Sequence, residues 1–360
     1  MKRRLGLVAL VALSVVALTG CGDSGDGVVA TNGGVVSTLA GTSGASGSTD
    51  GTGAAARFNG PYGIATDGTN VYVGDVSNST IRKVVIATGA VTTLAGLAGA
   101  SGSTDGTGTA ARFNGPYAIA TDGTNVYVSD FVNNTVRRVV IATGAVTTLA
   151  GTAGSSGSTD GTGAAARFNG PEGIATDGTN VYVLDKENDT IRQIVISTGA
   201  VTTLAGTAGA PGSADGTGAA ARFNWPQGLM MAGGNLYVSD TENHTIRKVV
   251  IATGVVTTLA GTAGLSGSTD GTGAAARFNH PEGLSTDGTN LYVADFVNNT
   301  VRQVVIATGA VTTLAGTAGS SGSTDGTGAA ARFNGPHGIA TVGTKIYVGD
   351  SNNHTIRLIQ

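Results

Sequence analysis

From Val35 onward, β-branched and aliphatic residues alternate with small polar ones, and Asp-Gly, Thr-Gly and Asn-rich steps interrupt the alternation at regular intervals. In the first such stretch, Gly63 to Thr66 reads as a short strand ending in the turn Asp67-Gly68-Thr69-Asn70. Val71 to Val73 reads as a second strand, closed by Asp75-Val76-Ser77-Asn78-Ser79. Thr80 to Ile86 makes a third, and the Thr88-Gly89 turn leads into a fourth, Val91 to Leu94. Glycine supplies the positive φ that such hairpin turns need. No window keeps an apolar face over three helical turns, so the reading is all-β. A long Gly/Ser-rich connection, Ala95 to Pro116, follows the four strands.

The unit then recurs. The arginine of Ala-Arg-Phe-Asn-x-Pro falls at Arg57, Arg112, Arg167, Arg222, Arg277 and Arg332, in steps of 112 − 57 = 55. The aspartate of Tyr-Val-x-Asp falls at Asp75, Asp130, Asp185, Asp240, Asp295 and Asp350, with the same step. A fixed period of this order signals an array, a solenoid or a propeller and overrides a domain count made from length. The chain ends separate a ring from a linear stack. A fourth strand follows a third at Val91, Val146, Val201, Val256 and Val311, but the sixth unit stops at Gln360 without one. The missing strand stands at the other end, as Val35-Val36-Ser37-Thr38-Leu39-Ala40-Gly41. A linear stack has no use for that permutation, whereas a ring uses it to remove its free edges. The expectation is a closed six-bladed β-propeller over residues 35–360, with four-stranded antiparallel blades and the N-terminal strand completing the last.

The start of the chain has a different character. Met1-Lys2-Arg3-Arg4 precedes an apolar run from Leu5 to Leu18, the layout of a secretory signal over residues 1–20. The run is shorter than the ~20 residues that a spanning helix needs. Leu18-Thr19-Gly20-Cys21 resembles the bacterial lipobox. That resemblance implies lipidation of Cys21 and an extracytoplasmic, membrane-anchored place in a bacterial cell envelope. Gly22 in the next position favours the outer membrane, and the Gly-, Asp- and Ser-rich residues 21–34 read as a flexible tether. An ordinary secretory signal with a chance cysteine is the competing reading.

Composition narrows the partners. Glycine takes 60 of 360 positions without the three-residue period of collagen. Removal of the signal leaves a side-chain charge of (20 − 3) − 23 = −6. With no basic excess to neutralise phosphates, nucleic acid is excluded as a partner. A single cysteine excludes an intrachain disulfide.

The set Phe58-Asn59-Gly60-Pro61-x-Gly63-Ile64-Ala65, Val71-Tyr72-Val73-x-Asp75 and Asn78-x-Thr80-Ile81-Arg82-Lys83 resembles the NHL repeat, in all six units. The resemblance implies mostly binding or scaffolding roles, and for a minority of such propellers a lyase or hydrolase-like activity. It fixes no single activity.

The recurring polar residues have structural readings. Asp75 and Arg82 flank one turn and pair across it. Asn78-Ser79-Thr80 matches the glycosylation pattern but reads as turn chemistry. The Asp50 loop offers one carboxylate where calcium wants six to eight oxygens, so it too reads as a turn. The glycine loops lack the Lys-Ser/Thr of a phosphate loop, and there is no Gly-x-Ser-x-Gly elbow. Neither a cofactor nor a catalytic residue is assigned; calcium and zinc have no spaced ligand motif behind them.

A site with an orientation needs positions that differ between blades. On one rim, the residue after Pro is Tyr62, Tyr117, Glu172, Gln227, Glu282 and His337, and the turn residues Phe131, Lys186, Glu187, Glu242 and Phe296 vary there too. The six residues after Pro are the ligand-binding candidates. The opposite rim is a nearly constant set of Asp-Gly-Thr-Asn and Ala-Thr-Gly turns. His244, His280, His337 and His354 share the variable rim, as zinc ligands or as plain polar variation. Trp225, Met230 and Met231 read as a locally repacked core in blade four. The leading expectation is a membrane-tethered module that binds a protein, peptide or glycan on the variable rim. The competing one is a lyase or hydrolase with a metal in the channel.

Overall fold

In the second strand of the first unit, Asn70–Asp75, every residue after Asn70 is buried. Its two faces look into different interiors. Val71 and Val73 meet Phe58, Ile64 and Tyr347, while Tyr72 meets Phe113, Ile119 and Val128 of the next unit. A strand buried on both sides has no reason to alternate with polar residues, hence the unbroken Val-Tyr-Val. The core is therefore a set of apolar wedges between neighbouring sheets.

The computed structural model describes residues 33–360. Each of its six sheets runs outward from a central axis. In the first blade the order is Pro61–Thr66, Asn70–Asp75, Thr80–Val85, Ala90–Ala95 and finally Gly51–Thr52. The two-residue outer strand refines the expected four-stranded blade. It comes from the Gly-rich connection and pairs as Gly51 to Val91 and Thr52 to Ala90. Around the axis the innermost strands approach closely: a Cβ on Gly63 would lie 2.4 Å from the Tyr117 carbonyl oxygen. Only glycine permits that approach.

Ring closure follows the permuted reading. Val35–Gly41 lies in the last sheet against Thr355–Ile359, with Val36 opposite Ile359 and Gly41 opposite Thr355. The Val35 N–H donates to the Gln360 carbonyl at 2.8 Å, and the Gln360 N–H returns a bond at 3.0 Å. The signal reading of residues 1–20, Cys21, and the tether up to residue 32 lie outside the described residues.

One polar arrangement recurs inside every blade. Arg82 is fully buried, and its Nη1 donates to Asp75 Oδ2 at 2.8 Å and to the Arg57 carbonyl at 2.9 Å. Its Nη2 donates to Asp50 Oδ1 at 2.7 Å and to the Thr49 carbonyl at 3.2 Å. Asp50 also accepts from the Thr93 N–H and hydroxyl on the fourth strand, so its oxygens are structural acceptors rather than merely part of a turn. Asp75 accepts further bonds from the Asn59 N–H and Asn78 Nδ2, both at 2.7 Å. Burial still pushes the Asp75 carboxyl up to about 6 against these donors and Arg82. Counterparts stand at Arg137, Arg192, Arg247, Arg302 and Arg357. In the last blade Thr38, on the N-terminal strand, takes the Thr93 role by donating to Asp325.

A second device joins blade to blade. The residue closing each strand-two to strand-three turn is left-handed: Ser79, Asn134, Asp189, His244, Asn299 and His354, with φ from 54° to 59°. In five cases its side chain accepts an N–H of the next blade. Asn134 bonds Gly170 at 2.8 Å, Asp189 bonds Trp225 at 2.9 Å, and Asn299 bonds Gly335 at 2.9 Å. His244 and His354 use Nδ1 to accept from His280 and Gly60, each at 3.2 Å.

Two expected outcomes follow from these contacts. A chain beginning at Gly44 loses Val36 and Ala40 from the core and Thr38 from Asp325, leaving a bare edge on the last blade. Its thermal melt should lose several kcal/mol, a large part of the ~5–15 typical of a domain, relative to a chain beginning at Ala30. Equal melts would contradict closure by this strand. The second outcome concerns pH. Burial lowers the imidazole of His354, and burial together with His280 lowers that of His244, below the ordinary 6.5. A base depressed by folding contributes stability above its unfolded value, and that stability is lost as pH falls through the folded value. Melting between pH 7.5 and 5 should therefore fall less for His244→Asn/His354→Asn than for the parent. An equal fall would mean that these imidazoles carry no bond.

Candidate functional site

The first strand of each blade begins Pro-x-Gly, or Pro-x-Ala in blade two, and in blade one its pairing with the second strand slips between Pro61 and Ile64. The same slip lies between Pro171 and Ile174 and between Pro336 and Ile339. A bulge re-aims a side chain, and here it turns residue x toward the axis. All six candidates consequently gather at one end of the channel. Tyr62 and Tyr117 are partly exposed, whereas Glu172, Glu282 and His337 are buried, Glu172 at 4% exposure.

The side chains meet in sequence around the mouth. Phe296 lies 4.9 Å from His337, His337 stacks on Tyr62 at 3.7 Å, and Tyr62 meets Tyr117 edge-on at 5.0 Å. Tyr117 stacks on Phe131 at 4.6 Å. The arc continues through Lys186, whose Nζ lies 5.6 Å from the Phe131 ring and 4.9 Å from Trp225. Offset and edge-on ring contacts and a cation over a ring are each favourable. Lys186 Nζ also pairs with Glu172 at 2.9 Å, and His337 Nδ1 with Glu282. Glu187 and Glu242 add further carboxylates in blades three and four. The mouth thus has an aromatic side over blades six, one and two and an acidic side over blades three to five.

Electrostatics follow from this enclosure. Burial, then the charges of Glu282 and Glu172, push the Tyr62 phenol up, so it remains a neutral donor. Burial pushes the Glu172 carboxyl up against the pull of Lys186. For Lys186 itself burial works downward, but Glu172, Glu282 and Glu187 outweigh it and keep the ammonium charged. Below the mouth a cavity of ≈ 240 Å³ runs between the innermost strands, and Gln227 reaches it.

Sequence reasoning places several of these residues on the rim without showing their contacts with the six candidates. Lys186, Phe131 and Phe296 follow the invariant aspartate, and the sequence marks them as variable turn positions on this rim. Trp225 is not part of a repacked core: it is 43% exposed, left-handed at φ 51°, and lies over Lys186. Met230 and Met231 do pack against the apolar wedges. The four histidines do not converge. His244 and His280 meet at 4.7 Å, His280 Nε2 lies 3.5 Å from Glu242, and His337 and His354 stand elsewhere on the rim. Among the described residues, no group of three or more His, Cys, Asp or Glu is placed to hold a metal ion.

Comparison with known proteins agrees with this architecture. The NHL repeat model matches residues 223–249 and 333–357, in blades four and six. The chain is 31% identical over 283 residues to the protein SUPPRESSOR OF QUENCHING 1, chloroplastic, of Arabidopsis thaliana, covering 73% of this chain and 26% of that one. It is 30% identical over 301 residues to the NHL repeat-containing protein 2 of Bos taurus, covering 72% and 40%. The chain therefore spans well under half the length of these curated relatives. An auxiliary nutrient binding protein from Bacteroides thetaiotaomicron shares the fold at a TM-score of 0.67 and 17% identity, over 91% of this chain and 76% of that one. Two of the six units thus match the NHL repeat model outright, and the same motif set recurs in the other four.

Proposed function

We propose that this propeller is a binding module, held to a bacterial outer membrane through lipid on Cys21, whose variable rim recognises a protein, peptide or glycan. The observation that carries the reading is the contrast between its two rims. Six strand-one to strand-two turns and five Thr-Gly turns form one nearly constant face, while the other gathers unlike side chains into a continuous arc of rings beside paired and unpaired carboxylates. Identical faces cannot distinguish the two ends of a ligand; this rim can. Rings with polar tips, Tyr62 and Tyr117 among them, supply apolar area without losing hydrogen-bonding capacity. The name of the Bacteroides neighbour, a nutrient binding protein, points the same way. The side-chain charge of −6 after signal removal favours neutral or cationic partners, with association that slows as salt rises.

Two experiments test this reading. With a partner captured by pull-down, Tyr62→Ala/Tyr117→Ala should weaken binding at least tenfold, about 1.4 kcal/mol, and leave the melting temperature within a few degrees. Loss from changes in the Ala-Thr-Gly turns, with none from the tyrosine pair, would put the site on the wrong face. Cys21→Ala should move the protein to the soluble fraction or leave it as unprocessed precursor, since stable anchoring needs more than one acyl chain. Continued membrane attachment after signal removal would contradict the anchor.

A further inference from the structure

The six junctions between blades on the variable rim are not equivalent. Five are closed by a side-chain acceptor on the N–H of the residue before Pro. Between blades one and two the corresponding residue is Ser79, one atom shorter than asparagine. Among the described residues, the Gly115 N–H that it should meet has no acceptor. Gly115 is buried, and a buried backbone N–H without a partner is rare.

The same junction lacks a ring from the preceding blade, and Gly115 is flanked instead by its own blade's Tyr117 ring and Val132, 3.1 Å and 3.3 Å from where a Cβ would stand. Between blades two and three, the Phe131 ring covers Gly170 so closely that a Cβ there would lie 2.9 Å from it. Phe296 covers Gly335 in the same way, at 3.0 Å. In blades four and five, Trp225 and His280 themselves replace the glycine. Blade one carries Val76 where blades two and five carry phenylalanine. What remains is a notch of ≈ 350 Å³ lined by Val76, Ser77, Ser79, Tyr117 and Val132, with Val132 52% exposed.

We propose that this notch binds an extended peptide segment of a partner protein. One peptide carbonyl accepts the Gly115 N–H, and an adjacent apolar side chain lies against Val76, Val132 and Tyr117. The chemistry favours a peptide over a sugar or a cation. The orphan group is a donor that needs an acceptor, Val76 and Val132 offer apolar contact beside the polar Ser77, Ser79, Ser101 and Asn114, and none of the lining residues carries a carboxylate. The Ser77 and Ser79 hydroxyls can accept from peptide N–H groups. The proposal rests on the reading of the variable rim as the binding face.

The test follows the Gly115 amide in ¹⁵N–¹H spectra of the full chain, titrated with Ac-Gly-Leu-Gly-NH₂, Ac-Gly-Ser-Gly-NH₂ or cellobiose. The leucine peptide should shift that amide saturably, and the other two should not. Ser79→Asn places in this junction the acceptor that Asn134 and Asn299 already supply elsewhere. It should raise the melting temperature and weaken the leucine peptide at least tenfold. Undiminished binding to Ser79→Asn would overturn the role of the Gly115 N–H, and a shift by cellobiose instead would overturn the peptide class. Shifts confined to the Tyr62 and Glu282 mouth would overturn the notch while leaving the rim reading intact. No shift at any rim amide with any probe would overturn both.

Discussion

Each blade closes around one arginine that water does not reach. In blade three, Arg192 Nη1 meets Asp185 and Nη2 meets Asp160, both at 2.7 Å, while the carbonyls of Arg167 and Thr159 take further N–H bonds. The Phe168 ring lies 5.2 Å from the guanidinium carbon. These partners come from the second strand and the incoming connection, and Asp160 links them to Thr203 on the fourth. A buried pair of this kind adds little net stability over an apolar substitute of the same shape, but breaking it strands a charge. Its value here is register: the planar fork fits only when all these segments are in place.

Because this frame is internal and identical six times over, the residue after each proline is released from fixing the register within its blade. The bulge after each proline then turns one residue toward the axis whatever its identity. The result is six interchangeable sockets filled with two tyrosines, two glutamates, a glutamine and a histidine. Variation at the Ser79 position is of another kind. Asn, Asp and His there share one requirement, an acceptor carried on a left-handed backbone. Serine meets the conformational half of that requirement and misses the acceptor half, which singles out one junction.

Much of the architecture is legible in the sequence because it is repeated. The 55-residue step, the permuted strand at Val35 and the Asp75–Arg82 pair across one turn all show in the letters. What is not legible depends on contacts far along the chain. Gly51–Thr52 has no β-branched run to mark it and becomes a strand only by pairing with Ala90 and Val91. Asp50 resembles a turn residue, yet its partners Arg82 and Thr93 lie on the third and fourth strands. Trp225 suggests a core by its size, but its left-handed backbone points it outward over Lys186. The six mouth positions can be identified from the letters; the circuit they make with Phe131, Lys186 and Phe296 requires the three-dimensional ring.

The dependence of the fold on its buried arginines is tested most directly by urea unfolding of Arg192→Met. The side chain keeps its bulk, while Asp185, pushed by burial up to about 6, is left without its guanidinium. The account predicts a loss of roughly 3–5 kcal/mol, partly recovered when Asp185→Asn is added and the stranded charge is removed. An Arg192→Met chain that unfolds at the parent's urea midpoint would contradict it.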